Sequence, residues 1–168
     1  MSRILKVAAA QLGPIAVAES RSSAVERMIA LMQNAKAQGA ELVVFPELAL
    51  TTFFPRWYSE DQSEIDKYFE TEMPNKATQP LFDEARKLKI GFNFGFAELV
   101  VEDGVTRHFN TAVLVNNQGE IAAKYRKIHL PGHTEHEPWR AFQHLEKRYF
   151  EKGNLGFQVH PLFGGKIG

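Results

Sequence analysis

The chain has 168 residues, 44% of them hydrophobic and 24% charged, with 20 basic side chains against 20 acidic ones. That length supports one domain with a sizeable core, and the neutral balance gives no electrostatic reason to bind nucleic acid or an anionic membrane. No apolar run is long enough to span a bilayer, and the absence of cysteine excludes disulfides and thiolate metal sites within the chain. Residues 4–10 (ILKVAAA) are apolar apart from Lys6 and predict a strand buried on both faces rather than a signal peptide, so cytoplasm is the expected compartment. Gly13 and Pro14 end that strand. Within 19–38, Val25, Met28, Ile29, Leu31 and Met32 make a helical stripe, closed by Gly39. ELVVF (41–45) is a second short strand stopped by Pro46, and this β-α-β order implies parallel strands joined by a crossover helix.

Residues 60–70 are a weaker helical segment. A stronger one covers 78–89, with Thr78 as its cap, Pro80 in its first turn and Leu81, Phe82, Ala85 and Leu88 as its stripe. Three strands follow at 91–102, 106–116 and 120–126, with hairpin turns at Asp103-Gly104 and across Asn116–Gly119. The expected fold is therefore α/β, layered, with a mixed sheet. From Lys127 to about Gly156 the chain is polar, aromatic and poorly periodic, and a long irregular segment in a compact domain is usually functional or disordered. Phe142, Tyr149 and Phe150 argue for order. Residues 157–163 predict another strand, and the terminal GGKIG the approach to one more.

Two residues stand in settings suited to amide chemistry. Glu47 follows VVFP at the C-terminal end of a predicted parallel strand, where α/β folds place ligand sites; it reads equally as a general base or as a surface glutamate. Lys127, in KYRKIHLPG, can stabilise an oxyanion as a fixed charge, or belong to a solvated basic cluster with Lys124 and Arg126. Glu146, in FQHLEKRYFE, reads by itself as an exposed residue of a short helix. His129, His133 and His136 mimic ligand spacing, but Pro131-Gly132 breaks any helix that would present them on one face, so no metal site is expected. No phosphate-binding loop and no G-x-S-x-G elbow is present.

In combination the motifs are more specific. AAAQLGP, VVFPELALTTFFPRW, YRKIHLPG and HLEKRYFEKGN, in that order, resemble the carbon–nitrogen hydrolase (nitrilase) superfamily along the whole chain. FPELALTTFFPRW, the long segment between Lys127 and Glu146, and FQHLEKRYFE are most similar to the group within it that hydrolyses N-carbamoyl-D-amino acids. The resemblance implies a nitrilase-like α-β-β-α sandwich with mixed sheets, here incomplete. Residues 1–168 would be the N-terminal part of a single domain. It also implies a Glu-Lys-Cys triad, no cofactor, no metal, and a homo-oligomer when full length. Glu47 would be the general base, Lys127 the positive group beside the oxyanion and Glu146 the second glutamate of the site. His129 and His144 would contact the substrate, an N-carbamoyl amino acid converted to the D-amino acid, ammonia and carbon dioxide. The alternatives are another amidase or a β-ureidopropionase, or a non-catalytic module without its nucleophile. Because the chain lacks cysteine and GGKIG resembles the start of the cysteine-bearing strand, it is expected to be an inactive and poorly soluble N-terminal fragment.

Overall fold

A computed structural model describes residues 3–168. Strand β1 (Val7–Ala9) leads through helix α1 (Arg21–Ala37) to β2 (Leu42–Val44), and both strands run parallel to the first half of β3 (Gly91–Glu102). α1 starts where the Ser20 hydroxyl accepts the Ser23 N–H, and it buries Ala24, Val25, Met28, Met32 and Ala35. The predicted β-α-β unit is therefore present. β3 folds back antiparallel onto β4 (Val105–Val115) through Asp103 and Gly104, whose φ angles are 53° and 77°; two positive φ values match the turn that the right-handed twist of a hairpin requires. β5 (Ile121–Arg126) completes a five-stranded mixed sheet in the order β1-β2-β3-β4-β5.

Between β2 and β3 lie a 3₁₀ turn (Phe54–Arg56), the short helix α2 (Gln62–Asp66) and helix α3 (Gln79–Leu88). Thr78 occupies the capping position of α3 but does not cap with its side chain. Its hydroxyl accepts the Asn75 N–H, while Asn75 Oδ1 accepts the N–H groups of Ala77 and Thr78. The asparagine holds this entry turn because its carbonyl reaches the amides two and three residues on.

Side-chain alternation along β3 and β4 gives the sheet two different faces. Phe92, Phe94, Phe96, Val113 and Val115 meet the inner residues of α1 and α3 in one core cluster. On the opposite face, Leu48, Phe54, Ile65, Phe69, Ala97, Leu145, Tyr149 and Phe150 form a second, aromatic cluster over one end of the sheet. Phe54 is its hub, stacked on Tyr68 at 4.9 Å and tilted against Phe69, Tyr149 and Phe150. The rest of that face is an open groove of about 420 Å³ lined by Leu42, Val44, Leu114, Ala123, Tyr125 and Phe157 among others.

Two expectations are corrected. The first strand is not buried on both faces: Val7 is exposed and Ala8 half-buried, because β1 is an edge strand with β2 as its one partner in the sheet. The strand predicted over 157–163 is limited to β6 (His160–Leu162), which turns back on β7 (Gly165–Ile167) as a separate two-stranded sheet. No helix among the described residues is long and apolar enough to cross a membrane.

Candidate active site

Glu47 lies just past the C-terminal end of β2, on backbone packed against β3. The Ala49 N–H donates to the Gly95 carbonyl, and a Cβ on Gly95 would stand 3.0 Å from both Glu47 Cα and Leu48 N. Only glycine lets the two backbones approach so closely. Leu48, buried directly after Glu47, has φ 48°, a left-handed conformation that is costly for a leucine. The turn is thus wedged between Gly95 and the aromatic cluster, which aims the Glu47 carboxylate along the sheet.

Lys127 is the first residue beyond β5. Its N–H donates to the Asn110 carbonyl at 2.8 Å and its carbonyl accepts the Gly153 N–H at 3.0 Å, so its backbone is held on both sides. Lys127 Nζ donates to Glu47 Oε1 at 2.5 Å and to Glu146 Oε2 at 2.8 Å. Glu146 opens the one-turn helix α4 (Glu146–Tyr149). Its side chain is only 1% exposed, against 26% for Lys127 and 43% for Glu47. The reading of Glu146 as an exposed helix residue is therefore excluded by its burial. Its other oxygen meets His144 Nε2 at 2.8 Å. That segment is anchored from outside: the Leu145 N–H donates to the Pro55 carbonyl, and the His133 N–H to the His144 carbonyl. Gly132, at φ 79°, passes so close to His144 that a Cβ would lie 1.9 Å from its carbonyl oxygen. The Pro131-Gly132 step is thus a packing requirement of the loop.

Asn110, not singled out in the sequence, completes the cluster. Its Nδ2 donates to Glu47 Oε1 at 2.6 Å and to Glu146 Oε2 at 3.3 Å. The signal that could have found it is an asparagine in the middle of a predicted strand, just before the apolar run Ala112–Val115, where this residue is disfavoured without a partner. A cavity of about 260 Å³ opens beside the group, lined by Glu47, Asn93, Gly95, Asn110, Tyr125 and Lys127 among others.

Burial by itself would lower the pKa of Lys127. The hydrogen bonds and charges of Glu146 and Glu47 outweigh it, and the ammonium is held above its ordinary range. The lysine is therefore a permanent cation at neutral pH, suited to stabilising negative charge and not to acting as a base. The remaining residues named from the sequence lie elsewhere. His129 is exposed, its ring 6.0 Å from that of Phe157, and it makes no hydrogen bond to the Glu47–Lys127–Glu146 group. His136 stacks on Tyr58 at 3.9 Å, and His133 lies 3.7 Å from Glu137. The structure thus brings together Glu47, Lys127, Glu146 and His144, and leaves His129 beside Phe157, outside that group.

The site thus sets an ammonium between two carboxylates, at a strand end beside a cavity. The carbon-nitrogen hydrolase family model matches residues 6–168. The chain belongs to the carbon–nitrogen hydrolase family. It is 34% identical over 166 residues to a nitrilase of Pyrococcus abyssi, covering 98% of this chain and 54% of that protein. It is 27% identical to an N-carbamoylputrescine amidase of Arabidopsis thaliana, over 87% of this chain and 43% of that one. Among solved structures, a mutant of the amidase from Nesterenkonia sp. AN1, showing the result of Michael addition of acrylamide at the active site cysteine, superposes with a TM-score of 0.71 at 21% identity, covering 97% of this chain and 55% of that one. The α/β fold with its mixed sheet is that of these nitrilase-like hydrolases. The chain spans about half the length of the curated relatives it matches.

Proposed function

We propose that the full-length protein hydrolyses non-peptide C–N bonds at this site, with N-carbamoyl-D-amino acids as substrates. The observation that carries the reading is Lys127 Nζ clamped between Glu47 and Glu146. The residues 1–168 form the N-terminal part of one such domain in this reading. Because the chain contains no cysteine, the nucleophilic thiol comes from outside these residues. Glu47 takes the thiol proton, and the sulfur attacks the ureido carbonyl. Lys127 stabilises the tetrahedral oxyanion. Glu47 returns the proton to the leaving nitrogen, and ammonia departs. Water then attacks the thioester-like carbonyl, giving its proton to Glu47. The carbon–sulfur bond breaks as Glu47 returns that proton to the sulfur, and the carbamic acid released falls apart into carbon dioxide and the D-amino acid. Glu146 holds Lys127 from the buried side. His144, hydrogen-bonded to Glu146, and His129, beside Phe157, contact the substrate in this reading. No cofactor enters these steps, and the working protein is a homo-oligomer.

The N-carbamoyl preference is supported by the FPELALTTFFPRW and FQHLEKRYFE motifs; the name of the Arabidopsis thaliana relative speaks for a carbamoyl group but for a different amine. A second reading, a simple amidase or nitrilase, is favoured by the identity to the nitrilase of Pyrococcus abyssi. Ammonia release by the full-length protein from N-carbamoyl-D-phenylalanine, N-carbamoylputrescine, an aliphatic amide and an aliphatic nitrile decides between them. The highest kcat/KM is expected for N-carbamoyl-D-phenylalanine. A higher value for any of the others replaces the substrate, and no release from any of the four rejects the hydrolase reading. The 168-residue chain alone is expected to release none.

A further inference from the structure

Asn110 touches every member of the charged group. Its backbone carbonyl accepts the Lys127 N–H at 2.8 Å, and its Nδ2 donates to Glu47 Oε1 and Glu146 Oε2. The residue is buried and pairs across the sheet with Ala97, two rungs from Gly95 opposite Ala112 and so on the same face. These small neighbours leave room on that face for the amide to lie flat between the two glutamates. Two carboxylates around one ammonium carry a formal excess of one negative charge, so they repel each other wherever Lys127 does not separate them. The Nδ2 group bears two N–H bonds, one for each carboxylate, and has no negative charge of its own. A lysine at this position would bring a second cation, and an aspartate a third anion.

We propose that Asn110 is the positioning residue of this site: its side-chain amide ties Glu47 to Glu146 and fixes the Glu47 carboxylate in the orientation from which it takes a proton. The inference rests on the hydrolase reading above for its kinetic consequence, but the hydrogen bonds do not. Asn110→Asp keeps the shape and size but loses the donor and adds a third anion; Asn110→Leu loses the donor at similar size and adds no charge. A role limited to filling space predicts an active Asn110→Leu enzyme. The positioning role predicts a fall in kcat of about 10²-fold in Asn110→Leu, Asn110→Ala and Asn110→Asp, within the range typical of losing a general base. KM should change by no more than a few-fold. In a Glu47→Gln background the same changes should cost almost nothing more, because residues that act as a unit are not additive.

The test is steady-state ammonia release by the full-length protein and these variants. Side-chain amide ¹H–¹⁵N spectra provide a readout independent of activity. The Asn110 Nδ2 resonances, assigned by their loss in Asn110→Asp, should shift in Glu47→Gln and in Glu146→Gln. A wild-type-like kcat in Asn110→Leu overturns the proposal, as does an undiminished Asn110 effect on top of Glu47→Gln. If the full-length protein hydrolyses nothing, the functional reading fails. The Asn110 resonances then still decide whether the amide joins the two carboxylates, and unmoved resonances reject the contact. If Asn110→Ala does not fold, Asn110→Leu and the spectra carry the test.

Discussion

Two ionic clusters sit back to back on the same pair of strands. Thr111 and Arg126 are cross-strand partners; their neighbours Asn110 and Lys127 point to the other face, as alternation requires. On the helix-covered face, Glu98 accepts from Thr111 at 2.7 Å, from Arg126 Nε at 2.8 Å and from Lys124. Arg126 continues to Glu102 and Asn154 and lies 4.0 Å over the ring of Phe109. Its side chain is 4% exposed. On the open face, Lys127 and Glu47 are partly exposed and face a cavity. The first cluster has its donors and acceptors used up by protein. The second has a carboxylate and an ammonium that a ligand can reach. Similar residue types one position apart in sequence thus become a buried brace and a candidate reaction site, because Glu98, Glu102, Asn154 and the Phe109 ring enclose Arg126 while Lys127 and Glu47 border a cavity.

The largest expected difference between the two is kinetic. In the full-length enzyme Glu47→Gln should lower kcat by about 10²–10⁴-fold while circular dichroism and melting temperature stay close to wild type. Lys127→Ala should be comparably severe through lost oxyanion stabilisation. A folded Glu47→Gln enzyme within a few-fold of wild type breaks the contrast. The mirror-image change is Arg126→Ala. Removing one partner of a buried ion pair costs about 3–5 kcal/mol, and urea denaturation should show a loss of that size. A loss below about 1 kcal/mol would mean that the sealed cluster does not brace the sheet.

The two clusters should also fail at opposite ends of the pH scale. Burial by itself would raise the pKa of Glu98; its hydrogen bonds from Arg126, Lys124 and Thr111 more than offset this, and the carboxyl is held below its ordinary 4.5. A group depressed on folding contributes stability that is present above its unfolded pKa and lost as pH falls through the folded value, so the Glu98 contribution disappears in acid, below about pH 4.5. Lys127 has the opposite sign. Its pKa is raised above 10.5, so its contribution is complete below that pH and is lost as pH climbs through the folded value. Denaturation midpoints measured against pH should show a shallower acid-side slope in Glu98→Gln and a shallower alkaline-side slope in Lys127→Met. Retention of either slope would reassign it. The smallest effect is expected at the Arg107–Glu151 pair, 2.6 Å apart but 40% exposed at both ends. Arg107→Gln should cost no more than about 1 kcal/mol and leave kcat unchanged; a larger loss would extend the brace to the surface.

How much of this was legible beforehand depends on the range of the interaction. The stripe of Val25, Met28 and Met32 needs only the helical period, and Asp103-Gly104 specifies its own turn through positive φ. The long hairpin and the β-α-β unit were therefore readable from local pattern. Glu47, Lys127, Glu146 and His144 were named through their motifs, since residues 80 apart, as Lys127 and Glu47 are, have no local signal of contact. Asn110 was passed over because its partner Glu47 is 63 residues away. Residue type predicts Thr78 as a cap, but its hydroxyl is engaged by Asn75 instead.

By itself the sequence determined the α/β class, the order of its main elements and the family, because hydrophobic period, turn chemistry and motif order are properties of neighbouring residues. The tertiary structure alone decided which face each polar residue of β4 and β5 would serve. Alternation tells Asn110 from Thr111 and Lys127 from Arg126 only in relative terms. The Glu102 and Asn154 side chains and the Phe109 ring around Arg126 make one set a buried brace, and the cavity beside Glu47 and Lys127 leaves the other open to a ligand.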